Sequence, residues 1–154
     1  MKNTGIFLLS AIDTVPASVA SSGGTITSSG VFVRGVGTTF TNDFNVGDWI
    51  FDAVSNNEIR RVTGITSDLL LTIDEPFTAD IAVAQAYRIT AASTLVFIGV
   101  ALPTGVTADI DGASIPAGTA LNWSRADKSS TTPTMIDPIV VDPTAGDVII
   151  TTLK

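Results

Sequence analysis

From residue 31 to residue 89 the apolar side chains fall mostly on alternate positions. Val31 and Val33 share one face, with Phe32 and Arg34 on the other. Trp49, Phe51 and Ala53 share a face. Ile59, Arg61, Thr63 and Ile65 alternate against Arg60 and Val62. Leu69, Leu71 and Ile73 form an apolar stripe, and Ile81, Val83, Gln85, Tyr87 and Ile89 form another, opposite Ala82, Ala84, Ala86 and Arg88. Successive strand side chains face opposite ways, so a period of two predicts half-buried strands. Turn residues separate the runs: Gly37-Thr38 before Phe40, Val46-Gly47-Asp48, the polar tip Ser55-Asn56-Asn57, Ser67-Asp68, and Pro76-Phe77-Thr78. The pattern predicts strand, turn and strand throughout, with no helix between. The Ala-rich stretch 81–87 is compatible with a helix on composition, but its flanks favour a strand.

The flanking regions read the same way. Residues 6–12 alternate weakly and predict a strand. Residues 16–30 are rich in Ser, Ala and Gly, with one short strand candidate at 25–27 after Gly23-Gly24. Ala91-Ala92-Ser93 breaks the pattern and marks a boundary. Beyond it, 94–100 predicts a buried strand, and Pro103 to Gly105 a turn. Asp111-Gly112 between the runs 106–110 and 113–115 is a strong hairpin signal. Pro116-Ala117-Gly118 predicts another turn before the strand 119–124, and 125–133 a polar loop. Two last strands, 139–141 and 148–153, are joined by 142–147. The expected fold is therefore all-β: a small barrel or sandwich over residues 1–90 and a second small β domain over 91–154. The expected first core holds Phe40, Trp49, Ile50, Val62, Ile65, Leu71 and Phe77. Trp49 and Ile50 point to opposite faces of their strand.

Composition narrows the function. Of 154 residues, 45% are hydrophobic and only 15% charged, against about 25% charged in an ordinary globular domain. Much of the surface is left to Thr, Ser, Asn, Gly and Ala, which suits burial against neighbouring subunits. The net charge is −7, and the eight basic residues are scattered. Arg60 and Arg61 are adjacent, yet in a strand they face apart. Phosphate neutralisation needs clustered cations, so direct nucleic-acid binding is not expected. The sequence contains no Cys and no His, which removes disulfides, thiolate chemistry and the commonest general base and metal ligand. No apolar run reaches the roughly 18 residues of a membrane span. Residues 5–11 are apolar, but Asp13 follows closely, and the segment reads as a strand rather than a signal peptide.

Candidate chemistry is sparse. Asp109 and Asp111 have a metal-like spacing, but Ala113, Ser114 and Ile115 follow where a calcium loop continues with oxygen ligands. Asp43, Asp48 and Asp52 cluster in sequence. An Asp after Gly caps turns through nearby backbone N–H groups, and that reading is preferred to acid–base work. Ser and Thr are abundant, but no Gly-x-Ser-x-Gly elbow activates one. Gly35-Val36-Gly37-Thr38 runs between strands rather than into a helix, so it is no phosphate loop. No catalytic, cofactor-binding or metal-binding residue is assigned. Trp49 reads as core. Trp123, beside Arg125, reads as partly exposed, and this pair is the candidate contact. Gly37, Thr38, Phe40, Gly47, Asp48, Asp111 and Gly112 are the turn-defining residues.

The order Gly37-Thr38, Phe40, Phe44, Gly47-Asp48, Ile50, Arg61-Val62, Ile65, Leu71 and Phe77 resembles a small β-barrel module found in structural proteins of tailed bacteriophages. The resemblance covers about residues 35–77. The later half, with Asp111-Gly112, residues 115–119 and Trp123, looks like an accessory β domain of the same particles. The resemblance implies a non-enzymatic virion protein without cofactor, most simply a multi-copy capsid decoration or head auxiliary protein. It implies other virion proteins and copies of itself, as a homo-oligomer, for partners. A neck or tail component, or a receptor- or glycan-binding fibre module, is the alternative. The strands at 6–12 and 148–153 are the expected intersubunit contacts.

Overall fold

The computed structural model describes residues 5–92, 95, 97–124 and 136–153. The fold is all-β and divides into two compact units, Ser18–Ala92 and a second made of Met1–Ala17 with Ser93–Lys154. In chain order the elements are β1 (Gly5–Leu9) and β2 (Asp13–Val15) of the discontinuous unit. Then come β3 (Val19–Ala20), β4 (Thr25–Ser29), β5 (Phe32–Val36), α1 (Phe40–Asp43), β6 (Trp49–Asp52), β7 (Glu58–Ser67), β8 (Leu70–Ile73) and β9 (Arg88–Thr90) of the continuous unit. The chain then returns to the first with β10 (Phe97–Ala101), β11 (Thr107–Ile110), β12 (Ala113–Ile115), β13 (Ala120–Ser124), β14 (Ile139–Ala145) and β15 (Val148–Leu153).

The continuous unit is one antiparallel sheet in the order β3-β9-β6-β7-β8-β5-β4. It curls because β7 serves two partners: residues 58–61 pair with β6, and residues from Val62 onward pair with β8. Register shifts interrupt the second ladder between Val62 and Gly64 and between Ile65 and Ser67. Bulges of this kind bend a strand and increase its twist. They also explain how Val62 and Ile65, three residues apart, both pack on the core. At the far side, Ile26 of β4 pairs through its backbone with Gln85. A few residues later the same segment becomes β9 and pairs with β6. Residues 85–90 thus touch both ends of the strand series and close it as a small barrel. Inside lie Ile26, Val33, Phe40, Phe44, Ile50, Val62, Leu71, Ile73, Phe77, Ile81 and Tyr87.

The discontinuous unit is a sandwich of two four-stranded sheets, β1-β15-β10-β13 and β12-β11-β14-β2. Val15, Ile98, Val100, Ala108, Ile110, Ile139, Val141, Val148 and Ile150 fill its core, with Phe7, Leu121 and Trp123 packed against it. Each strand contributes alternate residues, as two packed sheets require.

Several expectations are corrected. Residues 1–17 belong with the C-terminal strands, because β1 pairs with β15 and β2 with β14; the predicted grouping of 1–90 placed them with the barrel. The strand expected at 6–12 ends at Leu9. A one-turn helix, α1, interrupts the barrel where none was expected. Residues 81–87 belong to no strand: Gln85 makes an isolated bridge to Ile26, Val83 points to solvent, and the sheet begins only at Arg88. Trp49 is only half-buried and lies outside the barrel core, while Phe51, on the same side of β6, is fully buried. Residues 142–145 continue β14 rather than forming a loop. Finally, β15 has no free edge. Both its edges are occupied, by β1 and β10, and Val148, Ile150 and Thr152 are buried.

Candidate functional site

The turn-defining residues of the barrel tie its corners to one another. Gly37 has φ of 67°, a conformation that side chains with a Cβ disfavour. It turns the chain into Thr38, whose hydroxyl donates to the backbone oxygen of Asp68. Phe40 N–H reaches the same oxygen at 3.4 Å. The Asp68 carboxylate in turn accepts from Thr41 N–H at 3.1 Å and from the Thr41 hydroxyl. Those two bonds hold the Asp68 pKa below the usual carboxylate value, since they favour the charged form. The Gly-Thr-x-Phe corner and the Ser-Asp turn are therefore one latch, closed by α1. Phe40 hangs from it into the core, edge-on to Phe44 at 6.0 Å and to Tyr87 at 5.7 Å between ring centroids. The Tyr87 hydroxyl donates to Asp43 at 2.8 Å. Burial, followed by this carboxylate, raises its pKa.

The Val-Gly-Asp corner works similarly. Gly47 has φ of 103°. Its N–H bonds Val62 O at 2.9 Å, and Val62 N–H returns to Asp48 O at 2.7 Å. The Asp48 carboxylate accepts Asn45 N–H at 2.8 Å and Ala92 N–H at 2.9 Å. Asp48 thus holds both its own turn and the end of the barrel.

Asp52 is fully buried, and the sequence reading did not assign it this role. Its two oxygens accept the N–H groups of Val54, Ser55 and Asn56 at 3.0–3.1 Å, the Asn56 side-chain amide at 2.8 Å, and the Gln85 amide. The polar tip 55–57 was the available signal: an Asp immediately before an Asn-rich hairpin end is placed to gather its free N–H groups. Gln85 also accepts from the Ser55 hydroxyl. One carboxylate thereby binds the β6–β7 tip to the segment that closes the barrel. Glu58 and Arg60 do the same for Pro76-Phe77-Thr78. They pair at 2.7 Å, Arg60 donates to Pro76 O at 2.8 Å and lies 5.4 Å over the Phe77 ring, and Glu58 accepts Thr78 N–H at 3.0 Å.

In the sandwich, Asp111 and Gly112 have φ of 48° and 79°, the positive pair a two-residue hairpin requires. Asp111 N–H bonds Val140 O at 3.0 Å, and its carboxylate accepts Val140 N–H at 2.8 Å. Partial desolvation of that carboxyl raises its pKa. Asp109 lies directly opposite Asp142 on β14, with Ser114 on its other side. One Asp109 oxygen is buried without a hydrogen-bond partner among the described residues. No group of three or more His, Cys, Asp or Glu comes together among the described residues. Of the candidate contact pair, Trp123 is paired with Ile98 and packed on the sandwich core; Arg125 lies outside the described residues.

The feature that sequence reasoning missed is a sheet face. On β1-β15-β10-β13 the residues turned away from the core are Ile6 and Leu8, Ile149, Thr151 and Leu153, Phe97, Gly99 and Ala101, and Ala120 and Asn122. Among the described residues it carries no charge. Ile6 is 75% exposed and Leu8 63%. The Phe97 ring lies over Gly99, where a Cβ would come within 3.1 Å of it. Elsewhere the exposed apolar side chains are broken up by polar ones: Phe32 and Val36 on β5 flank Arg34. No family model, curated protein or solved structure matches the chain.

Proposed function

We propose that this chain is a non-enzymatic structural component of a tailed-phage virion, carried in many copies as a capsid decoration or head auxiliary protein. The observation that carries the reading is the uncharged outer face of β1-β15-β10-β13. Large exposed apolar patches mark interaction surfaces. A chain of net charge −7 can approach like-charged neighbours most readily where charge is missing. Each such contact is modest, and repetition across a lattice supplies the strength.

The internal geometry supports the non-catalytic part. Asp48, Asp52, Asp68 and Asp111 are engaged with backbone N–H groups at turns. Their role on this reading is to make the corners rigid. A rigid body suits a shell component, because little entropy is lost when it is fixed in place. A neck or tail position would use the same contacts. The phage role itself rests on the resemblance of residues 35–77 to virion modules.

Quantitative mass spectrometry of purified particles tests the proposal. The expected result is this chain at a copy number comparable with the major shell protein. Its absence from washed particles overturns the virion reading, and a few copies per particle overturns decoration.

A further inference from the structure

The outer face explains where neighbours can lie, but the edge of the same sheet specifies one contact. β1 ends the sheet: β15 lies on one side, and among the described residues no strand lies on the other. A free edge presents unpaired N–H and C=O groups, and natural edges are blocked by charge, proline, bulges or a covering segment. The edges of the other two sheets carry such devices or are very short. The backbone of β4 is covered by Gln85 and Ile81. β2 begins at Asp13 and runs into Pro16, β3 has two residues, and β12 has three, starting at the Asp111-Gly112 turn. β13 runs into residues outside the described range. β1 has the sequence Gly-Ile-Phe-Leu-Leu, with no charge, no proline and an unbroken register.

We infer that β1 pairs antiparallel with β1 of a second copy, joining two four-stranded sheets into one of eight. The register follows from the side chains. A two-fold axis at Phe7 sets Ile6 of one copy opposite Leu8 of the other, twice, on the exposed face. Each of these outward apolar residues then meets an apolar partner, which is the self-complementarity that a two-fold contact demands. Both chains carry −7, and the shared edge is neutral, so the strands meet where repulsion between copies is least. The two outer faces become one continuous surface.

The inference builds on the assembly reading above but fails separately from it. Sedimentation of the full chain over a concentration series, with hydrogen exchange read at β1, tests it. The expected result is concentration-dependent dimerisation, with slower exchange in Gly5–Leu9 as the dimer fills. The double variant Ile6→Lys, Leu8→Lys should weaken association by at least about tenfold, because two apolar pairs become like-charge contacts worth a few-fold each. Both side chains are exposed, so the fold should be retained. Val36→Lys, on the barrel at a 70% exposed site, should leave association unchanged. A chain monomeric at about 1 mM, the weak end of specific binding, overturns the inference and leaves the edge to a different protein. Dimerisation that survives the double variant, or that leaves β1 exchange unchanged, overturns the edge contact while the many-copy virion reading stands.

Discussion

Replacing Phe40 by Ala should destabilise the barrel by about 4–5 kcal/mol, the upper part of the range for a buried Phe. The structure places it there for three reasons. Phe40 is fully buried in the barrel's core cluster. Its ring makes edge-on contacts with both Phe44 and Tyr87, and each aromatic pair adds roughly 0.5–1.5 kcal/mol beyond area burial. Its backbone belongs to the latch with Asp68, so the cavity is walled by a held corner and collapses poorly. A small domain has only about 5–15 kcal/mol in total, so the variant should be close to unfolding. The two tryptophans fall one in each unit, Trp49 in the barrel and Trp123 in the sandwich. Urea titration in a Trp123→Phe background therefore reads the barrel alone. The expected result is a large fall in midpoint with little change in slope. A loss under about 1 kcal/mol, the level of an exposed site, would refute the reasoning that Phe40 is the central plug.

Asp52→Ala should cost roughly 2–4 kcal/mol in the same assay, because it leaves several N–H groups of the β6–β7 tip without an acceptor. Asp52→Asn should cost nearly as much, since both carboxylate oxygens accept and an amide presents one of its donors to other donors. A neutral Asp52→Asn would show that the tip does not depend on that carboxylate. The carboxyl of Asp111 has its folded pKa raised above 3.8, so the unfolded chain binds fewer protons just above that pH and this group's contribution is lost as pH rises through the folded value. Sandwich stability, followed at Trp123 in a Trp49→Phe background, should therefore fall over that window. Asp111→Asn keeps the turn conformation and an acceptor, and should remove that fall; an unchanged pH profile would contradict the assignment.

The local features of the fold were legible, and the long-range ones were not. Asp111-Gly112 predicts its hairpin because both residues must take positive φ, which is a property of the dipeptide itself. The barrel strands followed from alternation, and Ile50, Val62 and Leu71 are buried as that pattern implies; Phe40 and Phe77, expected in the core from the corners they belong to, are buried as well. Alternation says nothing about which distant strand is the partner. It therefore could not place β1 beside β15, nor show that β15 is an interior strand. α1 is a single turn held by Asp68 from 27 residues away in sequence, so no local period announces it. Residues 81–87 misled because alternation also suits a segment that packs Ile81 and Tyr87 inward without a full ladder. The uncharged outer face was present as a lack of Lys, Arg, Asp and Glu in β1, β10, β13 and β15, but only the sheet order brings those four strands together.

Electron microscopy of particles labelled at the C terminus of this chain reads its position in the virion. Label is expected at many symmetry-related positions over the head, with neighbouring copies close enough to touch through the sheet ending at β1. Label confined to the tail or neck would contradict the head assignment, and particles without label would contradict a structural role in the virion.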